Sequence, residues 1–213
     1  MARSFNSGLM LAVPMAVCAL AAAPAQAQSA RDANAEAYVQ QGAREVLAVL
    51  NDRSRSDAAK KEAFRALVNR LIDVPKVTRF VLGKYARSAA PDQYQRFANA
   101  FRTYAENVYM KRIDDYHGEK IVVTGSVVRK PGDVLVTTQL AGGRSQQPTN
   151  LIWRVLNDGT NWKVVDVQVS GVWLAITQQQ DFVATIDNAG GKVDVLTAQL
   201  LADKNGSVIR AKK

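Results

Sequence analysis

Two stretches, KIVVTGSVVRKPGDVLVTTQL (120–140) and LIWRVLNDGTNWKVVDVQV (151–169), decide the fold of this 213-residue chain. In the first, Ile121, Val123 and Val127 recur with period two, Pro131-Gly132 makes a turn, and Val134 to Leu140 runs back. In the second, Leu151 to Leu156 and Trp162 to Val169 flank Asn157-Asp158-Gly159-Thr160, a strong hairpin signal. With Gly142 to Thr149 read as a polar loop, four consecutive strands on short turns make an antiparallel meander. The strands are apolar on both faces: Trp153 and Val155 oppose Ile152 and Leu156, while Val165, Val167 and Val169 oppose Trp162 and Val164. A sheet with one wet face alternates more cleanly. The expected sheet is therefore curved, covered by helices on one side and partly screened on the other.

Upstream of the strands the apolar period is that of a helix. Val39, Ala43, Val46 and Leu50 share one face of a segment running from about Asp32 to Leu50. Asp57 is the expected N-cap of a second helix, in which Phe64, Leu67 and Leu71 recur. Asp73 and Pro75 open a third that stops at Gly83, in keeping with Pro early in a helix and Gly just past its end. The longest helix is predicted from Pro91 to about Tyr116, with Tyr94, Phe97, Phe101, Tyr104 and Val108 in one stripe. That stripe has two readings: it packs on the sheet, or it walls a ligand site. Two closing helices, Val172 to about Asn188 and Lys192 to about Asp203, are split by Gly190-Gly191. The predicted class is α+β, one domain over residues 28–203, followed by a basic tail at 204–213.

The amino end reads as an export signal over residues 1–27. Arg3 is a minimal positive region, Leu9 to Ala23 an apolar run, and Ala25-Gln26-Ala27 a small-x-small cleavage site. A retained spanning helix wants about 20 apolar residues, and this run is shorter and carries Pro14. Cys18 follows Val17 inside the run, without the small residues that a lipid-anchoring cysteine requires. Cleavage removes the only cysteine, so disulfides, thiolate nucleophiles and Cys-ligated metals are excluded from the mature chain. Lys and Arg number 28 against 19 Asp and Glu; Arg3 is the only charge before Gln28, so the mature balance is 27 − 19 = +8. Outside the cytoplasm that charge points to anionic lipid head groups or an acidic partner surface rather than nucleic acid, or else to solubility alone.

The catalytic inventory is thin. His117, the single histidine, sits beside Asp114 and Asp115 at a predicted helix end, where a cation is stabilised by the helix dipole. No nucleophile elbow, phosphate loop or dinucleotide fingerprint occurs. Asp166 is the one carboxylate flanked by strand hydrophobes, and a structural hydrogen bond at a sheet edge or helix terminus is its expected use. No catalytic residue, metal or cofactor is predicted, and a binding role is.

Several motifs, in order, carry a family resemblance: Phe80-Val81-Leu82-Gly83-Lys84-Tyr85, then Pro91-Asp92-Gln93-Tyr94-Gln95-Arg96-Phe97, Asn161-Trp162-Lys163-Val164-Val165-Asp166-Val167, Gly171-Val172, and Leu196-Thr197-Ala198-Gln199-Leu200. With them the chain resembles the MlaC family of periplasmic phospholipid carriers, also known as toluene-tolerance auxiliary transport proteins. The resemblance implies an NTF2-like cone: a four-stranded curved antiparallel sheet against helices, with an apolar cavity between them. It also implies a soluble shuttle between an outer-membrane lipoprotein complex and an inner-membrane ABC transporter complex. Where the family commonly has a small hydroxyl residue after Gly-Val, this chain has Trp173, which narrows or reshapes the cavity mouth. A related branch is tied to hopanoids, so a hopanoid ligand stands beside a phospholipid.

On this reading Phe80, Val81, Tyr85, Phe97, Phe101 and Tyr104 form the helical wall of the cavity. Ile152, Val165, Val167 and Trp173 face them or sit near the mouth, and Lys84 or Arg87 meets the head group. Two alternatives remain: an NTF2-like enzyme working through Asp166, and an adaptor with a filled core that binds an acidic membrane complex through its basic face.

Overall fold

In the computed structural model, which describes residues 30–114, 118–143 and 145–203, the first helix, α1 (Ala33–Asn51), starts where Asp32 accepts a hydrogen bond from the Ala35 amide at 2.9 Å. The expected signal at 1–27, His117 and the basic tail at 204–213 lie outside the described residues. Helix α2 (Asp57–Leu71) is capped by Ser56, not by Asp57. Asp57 is its first residue, where a carboxylate favours the positive end of the helix dipole. Asp73 caps α3 (Val74–Val81) with Pro75 in the first turn, as expected. Gly83 ends it at φ +58°, and a single turn, α4 (Tyr85–Ser88), precedes α5 (Pro91–Asp114). That single turn has too few residues to show a periodicity.

The meander is longer than expected at one hairpin and has one strand more. Strands β1 (Lys120–Lys130), β2 (Asp133–Gly142), β3 (Ser145–Asn157), β4 (Trp162–Val169) and β5 (Val172–Trp173) lie in sequence order, each antiparallel to the next. The sheet therefore has five strands, not four. Ser170 at φ +49° and Gly171 at φ +83° make a two-residue turn that folds Val172 back onto Val169. Positive φ at both turn positions suits a tight hairpin, so Val172 and Trp173 leave the predicted helix, and α6 is Leu174–Asn188. Most of the expected polar loop is strand as well: Thr149 pairs with Leu140, and Asn150 with Gln139. Polar side chains do not prevent pairing when a partner backbone is free. Helix α7 (Val193–Ala202) closes the described chain.

A bulge corrects the facing of β4. Arg154 pairs with Asp166 and Val155 with Val164, so Val165 is an extra residue on β4. Val164 and Val167 thus share a face with Val155 and Trp153, instead of opposing one another. An inserted residue reverses alternation beyond it.

Two separate cores result. On the sheet, Ala35 and Val39 of α1 pack with Val134, Val136, Val155 and Val164, and Trp153, Trp162 and Val167 border them. The Asp32 amide donates to Ser126 Oγ at 2.9 Å, and Gln40 accepts from the Val123 amide at 3.2 Å, which seats α1 along β1. The other core is helical throughout: Val81, Leu82, Phe97, Ala100, Phe101, Tyr104, Phe182, Ile186, Leu196 and Leu200, from α3, α5, α6 and α7. The lobes join along the free edge of β4, where the Asp73 amide donates to the Val164 carbonyl at 3.0 Å and α3 and α6 approach the strand.

Candidate functional site

The aromatic stripe of α5 meets neither of its expected partners. Phe97 and Phe101 stack at 5.9 Å, and the ring of Phe182 stands edge-on to them at 6.1 and 5.9 Å. Val81, Phe97, Phe101 and Tyr104 are all buried in this helical core, and among the described residues no strand residue belongs to it. Helix α5 packs chiefly on α7 and α3 rather than on the sheet. The stripe is therefore neither laid on strands nor lining an opening. Phe182, Leu196 and Leu200 cover it instead, and burying an aromatic of this size contributes about 2–3 kcal/mol.

The sheet residues expected opposite that stripe divide between two faces. Val167 pairs with Trp153 on the face that carries α1, whereas Ile152 pairs with Gln168, which pairs in turn with Trp173, on the other. Val165 is the bulge residue. The fold does not bring Ile152, Val167 and Trp173 onto one surface.

Helix α2 carries an apolar stripe that enters neither core. Phe64, Leu67, Val68 and Leu71 fall at helical spacing on one stripe, yet none of its fifteen residues is buried and none belongs to either core. Its end is tied to α1 and the sheet: Tyr38 donates to the Leu71 carbonyl at 2.8 Å, Lys163 Nζ donates to the Arg70 carbonyl, and Ile72 bridges to Val164. Its middle is tied to α5, where Arg65 donates to Glu106 at 2.9 Å. The helix spans the interval between the sheet and α5, and its apolar stripe stays half-covered.

Three of the expected site residues meet at one concavity. Phe80, Lys84 and Arg87, with Arg79, Gly83, Gln179 and Val183, line a wide-mouthed cleft of about 490 Å³ between the end of α3 and α6. Gln179 donates to the Phe80 carbonyl at 2.6 Å and fixes the two sides of the cleft together. Lys84 pairs with Asp187 at 2.7 Å, which raises the ammonium pKa and holds the Asp187 carboxyl below its usual range; Tyr85 donates to the same carboxylate. Arg79 stacks its guanidinium 5.7 Å from the ring centre of Tyr94. Arg79 was absent from the expected set, although it lies within one helical turn of Gly83. Gln179 and Val183 come from far along the chain and had no signal.

A family model described as MlaC protein matches residues 40–202. The chain belongs to the MlaC family. Among solved structures it is similar to the phospholipid-binding protein from Ralstonia solanacearum in complex with a phospholipid. The two share 24% identity and a TM-score of 0.69, over 80% of this chain and 96% of that one. At that identity the likeness establishes a shared fold.

Two sheet carboxylates of this MlaC family member, Asp166 and Asp133, are engaged in structure. Asp166 Oδ1 accepts from the Val167 and Ala175 amides, each at 2.8 Å, so it fastens the start of α6 to the edge of the sheet. Burial pushes its pKa up, and those amides oppose the shift. Asp133 is the more deeply buried of the pair and takes two hydrogen bonds from Arg154, at 3.0 and 2.8 Å, which hold its pKa down. Among the described residues no helix is long and apolar enough to cross a membrane.

Proposed function

We propose that this MlaC family member is a periplasmic carrier that holds the acyl chains of a phospholipid between α2, α5 and the face of the sheet that carries α1. It shuttles the lipid between an outer-membrane lipoprotein complex and an inner-membrane ABC transporter complex. The observation that carries the reading is the half-covered stripe Phe64, Leu67, Val68 and Leu71, outside both cores, on a helix tethered to both lobes. Two acyl chains hold about 30 methylenes, and each costs about 0.8 kcal/mol to expose to water, so a lipid crossing an aqueous space needs such surfaces around it. The phospholipid bound by the Ralstonia solanacearum protein, which shares this fold, supports a phospholipid over a hopanoid.

On this reading the tails meet α2 and the half-buried Trp153 and Val167, while the buried rings of α5 support the wall from behind. Phe80 borders the head-group end, with Lys84 and Arg87 beside it. The expected result is phospholipid recovered at close to one molecule per protein when the full chain is exported to a bacterial periplasm, purified and extracted for mass spectrometry. Protein free of lipid overturns the reading, and recovery of hopanoid alone transfers it to that ligand.

A further inference from the structure

We propose that the cleft of Arg79, Lys84 and Arg87 is a phosphate-binding site that makes the carrier select anionic phospholipid head groups over zwitterionic ones. The inference rests on the carrier reading and adds to it a ligand charge class and two residues, Arg79 and Gln179.

The charge balance of the cleft is uneven. Lys84 has its counter-ion in Asp187. Among the described residues no carboxylate lies within ion-pair reach of Arg79 or Arg87. Two uncompensated guanidinium groups therefore border a concavity of about 490 Å³. Guanidinium is the side chain best matched to phosphate oxygens, because its planar donors bind them in pairs. A phosphodiester whose head group carries no cation satisfies both arginines. One linked to an ammonium brings a third positive charge to two already unpaired, and that repulsion supplies the discrimination.

The two sides of the cleft meet in a close approach at its floor. At Gly83, with φ +58°, an added Cβ would come 2.6 Å from Val183 Cγ2, so only glycine lets the backbone sit this close to α6. The ring of Tyr94 steadies Arg79 without neutralising it. Phe80, 40% exposed, and Val183 give the cleft an apolar side, which suits the glycerol and first methylenes of a lipid rather than a free ion.

The test compares the native chain with the double variant Arg79→Gln/Arg87→Gln and a charge-matched control, Arg44→Gln/Arg102→Gln, which lies outside the cleft. Each is exported, purified and extracted, and the ratio of phosphatidylglycerol to phosphatidylethanolamine is measured against that of the host membrane. The native protein and the control are expected to be enriched in phosphatidylglycerol. In the lipid that the cleft variant still carries, that enrichment should be lowered by about tenfold, the scale of one charge-assisted contact. A native ratio equal to that of the host membrane, or an unchanged ratio in the cleft variant, overturns the inference while leaving the carrier reading intact. Lipid-free native protein overturns the carrier reading instead. In a second arm inorganic phosphate is titrated calorimetrically. Saturable binding that the cleft variant loses, with no change in its lipid ratio, assigns the cleft to free phosphate and overturns the lipid assignment.

Discussion

Helices α5 and α2 carry the same kind of apolar stripe and meet opposite ends. On α5, Phe97, Phe101 and Tyr104 are enclosed by Phe182, Leu196 and Leu200, and the rings touch edge to face. On α2, Phe64, Leu67, Val68 and Leu71 recur at the same spacing but belong to neither core and stay half-buried, with Leu71 against Gly42 of α1. Periodicity reports which face of a helix is apolar. It does not report whether the protein or a ligand covers that face. The enclosed stripe stabilises the fold, and the half-covered one is the surface that the proposed function assigns to the lipid.

Truncating one ring on each helix breaks the comparison most directly. Phe97→Ala should lower stability by about 3–5 kcal/mol in chemical denaturation, since a fully enclosed aromatic leaves a cavity its neighbours cannot fill. Phe64→Ala, at a half-buried ring, should cost only about 1–2 kcal/mol in lipid-free protein and yet reduce the lipid recovered after purification. Equal losses of stability at the two positions would mean that α2 is closed in solution.

A second contrast, between Asp133 and Asp166, has a smaller effect and a definite sign. Asp133→Asn removes a charge-assisted double hydrogen bond to Arg154 and should cost about 2 kcal/mol at neutral pH. The folded pKa of Asp133 lies below its unfolded value. Its contribution is therefore full above the ordinary carboxylate range, about 4, and is lost as pH falls through the folded pKa. The gap between native and variant melting curves should close on acidification, and a gap independent of pH would show that the ion pair is not its source.

Asp166 has the opposite sign, because burial raises its folded pKa. Its contribution is greatest below the unfolded pKa and fades as pH rises through the folded one. Asp166→Asn keeps an oxygen for the Val167 and Ala175 amides, so stability at neutral pH should change by under about 1 kcal/mol. Lipid recovery should be unchanged, whereas an enzyme working through Asp166 would lose turnover.

Much of the fold was legible because local signals are strong where they exist. The Asn157 to Thr160 hairpin, Asp73 with Pro75, and the Gly83 stop all act within a few residues, and the structure places each where expected. The fifth strand had a signal that went unread: Ser170-Gly171 is a turn pair, and both residues adopt positive φ. The bulge at Val165 had none, since an extra residue in an unbroken valine-rich run leaves the pattern unaltered. It moved Val164 to the face of Val167. The candidate site was half legible for a related reason. Phe80, Lys84 and Arg87 lie close together in the chain, while Gln179 and Val183 reach the same cleft from a helix about a hundred residues away.

The order of residues alone determined most element types and most of their ends, because caps, turns and alternation depend on near neighbours, and its ordered motifs pointed to the MlaC family. Tertiary structure alone decided which apolar stripe is sealed and which stays half-covered, and which cations lack a partner. Those outcomes depend on what stands across a gap in space, and a periodicity of 3.6 or 2 describes only one side of that gap.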